Sequence, residues 1–219
     1  MATKVTAVRI ALIPLIIFFY VGAVAFWQND FFAYWGRFIA LILFLVALIT
    51  DWLDGQIARK FNQVSAKGEW LDNLADKLLV VTGLLLIFTD PILNHEEMIS
   101  IIPMFAAVFV GLAIIGSDIA ADAVKKYGQG KGMTLSTGLL DKFKLAFQFT
   151  GIGLFMLYAV NYRPTSGNLF FPVGAGETIL TYFAWSALGV AAVLSVINVI
   201  YLEVLYFKGK EKEKSVEED

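Results

Sequence analysis

The chain has 219 residues, 58% hydrophobic and 15% aromatic, with only 16% charged and a mean hydropathy of +0.72. A soluble domain carries nearer about 25% charge, so the composition excludes an ordinary water-soluble enzyme or binding module. The formal net charge of −2 points to no nucleic-acid partner, and the absence of cysteine excludes disulfides and thiolate-held metals.

Six apolar segments are long enough to cross a hydrocarbon core about 30 Å thick. They are Thr6–Phe26, Tyr34–Asp54, Glu69–Phe88, Ile99–Val124, Thr137–Val160 and Thr178–Phe207. The first does not read as a cleaved signal, because it is long, holds Pro14 and lacks a small-residue cleavage site. Tyr34, Trp35 and Trp27 near a span end read as interfacial anchors. The connection around Asp90 and the lone His95 carries no positive charge, and His95 is expected to have no chemical role. Lys4, Arg9, Arg59, Lys60, Lys67, Lys125, Lys126, Lys131, Lys142 and Lys144 fall on the other side, as do the tail lysines. The positive-inside rule therefore predicts six transmembrane helices with both termini cytoplasmic. The fold class expected is an all-α integral membrane protein. One domain covers 1–207, and 208–219 forms a charged, solvated cytoplasmic tail.

Between the second and third segments stands Asp-Trp-Leu-Asp-Gly-Gln-Ile-Ala-Arg at 51–59, then Gly68, Asp72 and Asp76. On helices, Asp51 and Asp54 share a face at i,i+3, and Asp72 and Asp76 at i,i+4. Two helices joined by a short loop then point four carboxylates at one spot. Carboxylates near a bilayer cost roughly 2.5 to 3.5 kcal/mol each, so such a cluster calls for a positive partner. Oxygen ligands without Cys or His favour a hard divalent ion: Mg2+, Mn2+ or Ca2+. The bland alternative is a set of solvated helix-end acids.

At all eight defined positions this stretch resembles the signature of the CDP-alcohol phosphotransferase family: Asp51, Asp54, Gly55, Ala58, Arg59, Gly68, Asp72 and Asp76. The resemblance implies two divalent cations, Mg2+ or Mn2+, at the cytoplasmic edge. Asp51, Asp54 and Asp72 would hold one, and Asp51, Asp72 and Asp76 the other. It also makes Asp76 the general base for the acceptor hydroxyl. A carboxylate beside a dication is a weak base unless the hydroxyl is itself polarised by the metal. For the CDP-lipid, Gly55, Ala58 and Gly68 would give close approach, Arg59 a planar fork for phosphate, and Ser65 and Thr6 hydroxyls. The bland alternative for Arg59 is a snorkelling or positive-inside arginine.

Thr6 and Arg9 with Ile10-Ala11-Leu12-Ile13-Pro14 resemble the first helix of bacterial phosphatidylglycerophosphate synthases, as do Asn62-Gln63-Val64 and Leu74–Val80. That branch transfers a phosphatidyl group from CDP-diacylglycerol to glycerol-3-phosphate and releases CMP. The expected partners are therefore CDP-diacylglycerol, a small cytosolic alcohol, membrane lipid and a second copy of the chain. Small residues such as Gly83, Gly111 and Ala113 suit close helix contacts. The chain departs from the branch at Asn73, usually proline, and Thr3, usually asparagine. Ser117 and Lys125 stand where it places arginines. Lys142 and Lys144 match its lysine pair, so Lys125, Lys142 and Lys144 are the expected acceptor-binding residues. Positive-inside bias also explains them. Three function classes remain open: a phosphatidyltransferase (with glycerol-3-phosphate leading over an inositol phosphate, another polyol phosphate or an unphosphorylated alcohol), a divalent-cation transporter, and a scaffold that binds CDP-lipid without turnover.

Overall fold

The computed structural model describes the backbone over 2–26, 29–60, 66–90, 104–133, 135, 137–161 and 175–217. Side chains are described over 6–26, 29, 31–50, 68, 70–90, 108–133, 135, 137–161 and 179–209. Among these residues all regular structure is helical. The helices are α1 Ala2–Ala25, α2 Asp30–Lys60, α3 Ala66–Thr89, α4 Met104–Gly130, α5 Leu139–Asn161 and α6 Ala175–Glu217. Each coincides with one expected apolar segment. Trp27, His95 and Ser65 lie outside the described residues.

Among the described residues, four helices are long and apolar enough to cross a membrane, over Thr6–Ala25, Phe31–Thr50, Leu139–Asn161 and Ile179–Gly209. α3 carries Asp72, Asp76 and Lys77, and α4 carries Asp118, Asp122 and Lys125. The surface is that of a protein solvated by lipid. Phe18, Phe109 and Leu139 are 70% exposed or more, whereas Arg9 and Arg37 are among the largest fully buried side chains. In a membrane protein, charge belongs inside, where other side chains satisfy it.

Helix ends depart from expectation in two places. α2 was expected to stop at Asp54 but continues to Lys60, so Gly55, Ala58 and Arg59 lie within a helix rather than a connection. A single glycine costs a helix only about 1 kcal/mol, and Gln56, Ile57, Ala58 and Arg59 carry the turn onward. Likewise Gly68 sits in the first turn of α3, which starts at Ala66. The expected tail is an extension of α6 through Glu217.

The chain divides into two compact units. The first comprises 1–101 and 151–184 and the second 102–150 and 185–219. In the first, α1 packs against both α2 and α3. The α1–α2 contact is close at Gly36, where a Cβ would lie 2.7 Å from Ala23 Cβ. At Gly83 of α3, a Cβ would lie 2.6 Å from Ile152 Cγ2 of α5, so this glycine is used for packing within the chain. At one end of α2, Arg37 makes a two-pronged ion pair with Asp90, just past α3. Its Nε donates to Oδ2 at 2.9 Å and its Nη2 to Oδ1 at 3.0 Å, and both side chains are wholly buried. Tyr20 of α1 is buried beside them. At 1.5 Å per residue the pair lies ~21 Å along α2 from Asp51.

The second unit buries Ile114, Ala121, Leu188, Ala191 and Leu202. Near its interfacial end the Lys131 ammonium lies 5.0 Å from the Tyr127 ring centroid and 5.6 Å from that of Tyr206. It donates to the Tyr206 hydroxyl at 3.0 Å, and that bond holds the ammonium above its usual pKa.

Candidate active site

The signature aspartates fall on the last turns of α2 and the first turns of α3. Asp51 and Asp54 are in helical backbone, as their i,i+3 spacing requires for a shared face, and their side chains lie outside the described residues. So do the side chains of Arg59 and Ala58. On α3, Asp72 and Asp76 are one turn apart and meet the same partner. Arg9 Nη1 donates to Asp72 Oδ1 at 2.9 Å and to Asp76 Oδ1 at 3.2 Å. The Asp72 side chain is 45% exposed, the Asp76 side chain 16%, and Arg9 not at all. Thr6, one turn before Arg9 on α1, is buried, as is Gly68. The structure thus brings Arg9 of α1 to the α3 carboxylates.

In the sequence Arg9 counted only toward the positive-inside bias and the resemblance, and no role at the site followed. A physical signal was available, because an arginine followed by an uninterrupted apolar run must find an acidic partner. Among the described residues the donors gathered here, Asp72 and Asp76, are carboxylates, the oxygen chemistry that suits a hard divalent ion. Among the described residues, which leave out the Asp51 and Asp54 side chains, no three His, Cys, Asp or Glu side chains come together as a metal site.

The expected acceptor lysines lie in the second unit, and two of the three are already paired. Lys125 Nζ donates to Asp141 Oδ2 at 2.7 Å. Lys144 Nζ is 2.9 Å from Asp118 Oδ1 and 3.7 Å from Asp141 Oδ1. Thr137 donates to Asp141 Oδ2, and Asn198 Nδ2 donates to Asp141 Oδ1 at 2.8 Å. Gln148 Nε2 donates to Asp118 Oδ2 at 3.2 Å and to Ser195 Oγ at 3.4 Å. Lys125 and Lys144 therefore belong to a network in which two carboxylates match two ammoniums. Lys142 is exposed and stands apart from these contacts. Ser117 is committed to its own helix, donating to the Ala113 carbonyl.

This network predicts unequal lysine phenotypes. Lys144→Ala strands the largely buried Asp118 carboxylate and should cost about 3 kcal/mol of stability. Lys142→Ala should leave stability unchanged. Thermal unfolding in one detergent tests both, and Asp118→Asn added to Lys144→Ala should recover most of the loss. Equal melting points for Lys144→Ala and wild type would contradict the pairing.

With the site described, the family can be decided. The chain matches the family model described as CDP-alcohol phosphatidyltransferase over residues 1–197. It belongs to that family. Among its relatives, CDP-diacylglycerol--glycerol-3-phosphate 3-phosphatidyltransferase 2 of Arabidopsis thaliana is 35% identical over 179 residues, covering 80% of this chain and 70% of that protein. The Escherichia coli (strain K12) protein named CDP-diacylglycerol--glycerol-3-phosphate 3-phosphatidyltransferase is 30% identical, covering 72% of this chain and 86% of its own. A cardiolipin synthase (CMP-forming) of Oryza sativa subsp. japonica is 31% identical, covering 81% of this chain and 53% of its own. As a CDP-alcohol phosphatidyltransferase, the chain is a membrane enzyme of phospholipid synthesis, and nothing supports a cation transporter. Arg9 meets the signature residues Asp72 and Asp76 from α1.

Proposed function

We propose that this protein transfers a phosphatidyl group from CDP-diacylglycerol to glycerol-3-phosphate, giving phosphatidylglycerophosphate and CMP. The observation that carries the reading is a complete signature inside a family match, in relatives two of which are named for this reaction. Asp51, Asp54, Asp72 and Asp76 would hold two divalent cations, Mg2+ or Mn2+. When bound, these neutralise the pyrophosphate of the CDP-lipid and the charge of the departing phosphate.

The chain's own residues supply the rest. Asp76 takes the proton of the acceptor hydroxyl as that oxygen bonds to the phosphatidyl phosphorus. The bond from phosphorus to the CMP oxygen breaks, and CMP leaves with its electron pair. Gly55 and Ala58, on the same helix as Asp54, leave room for the nucleotide, and Arg59 offers phosphate a planar fork. Thr6, Ser65 and Gly68 complete the CDP-lipid set. Lys142, Lys125 and Lys144 give the acceptor phosphate its cations, the last two from within their paired network.

The same reading places all six helices across the cell membrane, with both termini and the aspartates on the cytoplasmic side. The lysine bias supports this. Arg37 does not count against it, because Asp90 neutralises it. The chain is proposed to act as a homodimer.

Release of CMP from CDP-diacylglycerol, measured with Mg2+ or Mn2+ and a panel of alcohols, tests the reaction. Glycerol-3-phosphate should give the highest kcat/KM, and EDTA should abolish it. Lys142→Ala should raise the KM for glycerol-3-phosphate about tenfold or more, that for CDP-diacylglycerol far less. Preference for an unphosphorylated alcohol, with KM unmoved in Lys142→Ala, would mean a different phospholipid made by the same chemistry.

A further inference from the structure

Arg9 reaches Asp72 and Asp76 from another helix, is wholly buried, and serves both carboxylates with one nitrogen. We infer that Arg9 is the built-in counter-ion of the aspartate cluster, a positioning residue that holds the α3 carboxylates together before any divalent cation arrives. The inference rests on the metal reading of the aspartates given above.

Two carboxylates at i,i+4 repel, and the repulsion grows where solvent screening is lost. Asp76 is the more deeply placed of the two. A dication from solution relieves the repulsion only while it is bound. A guanidinium is always charged, is tethered by its own helix, and fits carboxylates with directed donors. Burial makes the dependence mutual, since a buried charge deprived of its partner is strongly penalised. Zero exposure also separates Arg9 from a substrate-binding role, because no atom of it is open to a ligand. α1 is thereby a wall of the site as well as a membrane helix.

The test uses melting temperature, not turnover. Wild type, Arg9→Gln, Arg9→Lys and the double variant Arg9→Gln with Asp72→Asn are purified in one detergent. Each is melted in EDTA and across a Mg2+ titration. In EDTA, Arg9→Gln should melt several degrees below wild type. Its Mg2+-dependent rise should be at least about twice that of wild type, because the dication now supplies the charge that Arg9 gave. Arg9→Lys should recover at least about half of the EDTA loss, since it keeps the charge without the fork. The double variant should recover in EDTA, one carboxylate having lost its charge along with the arginine.

A Mg2+-dependent rise in Arg9→Gln no larger than that of wild type overturns the inference. So does a double variant as unstable as the single one, which would leave Arg9 a packing role alone. Should Arg9→Gln survive purification only with Mg2+, or only alongside Asp72→Asn, the inference holds. Failure of both variants in all conditions overturns it. A chain that shows the expected melting pattern yet releases no CMP with any alcohol keeps this inference and loses the proposed function.

Discussion

Asp72→Asn should lower CMP release on the order of a thousandfold while the protein still inserts and folds. In the proposed site Asp72 contributes to both divalent ions, so its amide form weakens both at once. Metal neutralisation of a transferring phosphoryl group is worth several kcal/mol, and each 1.4 kcal/mol is about tenfold in rate. Asp51→Asn and Asp54→Asn should fall by similar factors. Folding is spared because the Asp72 side chain is 45% exposed and Arg9 keeps its bond to Asp76. The assay is CMP release at saturating metal beside a size-exclusion profile. A monodisperse Asp72→Asn protein with near-wild-type rates would sink the two-ion assignment. Asp76→Asn should be as inactive but should still bind the nucleotide lipid, which separates the base from the clamp.

The second large effect lies at the other end of α2. Arg37→Met leaves Asp90 wholly buried without its guanidinium. Removing one partner of a buried ion pair costs about 3–5 kcal/mol. For a chain of this size each kcal/mol moves the melting point by about 2–4 °C, so a drop of roughly 10 °C is expected. Asp90→Leu should do comparable damage. The double variant should return most of the loss, because apolar side chains of similar volume suit that environment. Single variants that melt within about a degree of wild type would show that the pair contributes nothing.

Much of this was legible in the sequence, and the misses share a cause. Apolar runs of membrane-crossing length announce helices by composition alone, so all six were placed. Gly55 and Gly68 were read as breaks, whereas the helix formers beside them carry α2 to Lys60 and start α3 at Ala66. Charge partners were harder. Lys125 and Lys144 were grouped through the resemblance, which carries no record of the carboxylates that pair with them. Their carboxylates belong to other helical turns: Asp141 is 16 residues from Lys125, and Asp118 pairs with Lys144 from a different helix. Hydrophobic periodicity carries no record of such pairings. Arg37 was passed over among aromatic residues, and Asp90 was taken for a loop acid. Asp72 and Asp76 were different, since their i,i+4 spacing put them on one face of α3, where one arginine meets both.

The Arg37–Asp90 pair has a further consequence for biogenesis. Its partners are 53 residues apart in the chain, so Arg37 emerges from the ribosome well before Asp90. A helix offered singly to the insertion machinery would carry a lone guanidinium, at a cost of up to the roughly 2.5 to 3.5 kcal/mol of a helix-centre arginine. In the proposed six-span arrangement the favourable unit of integration would then be the α2–α3 hairpin, with α2 held at the translocon until its counter-charge is synthesised.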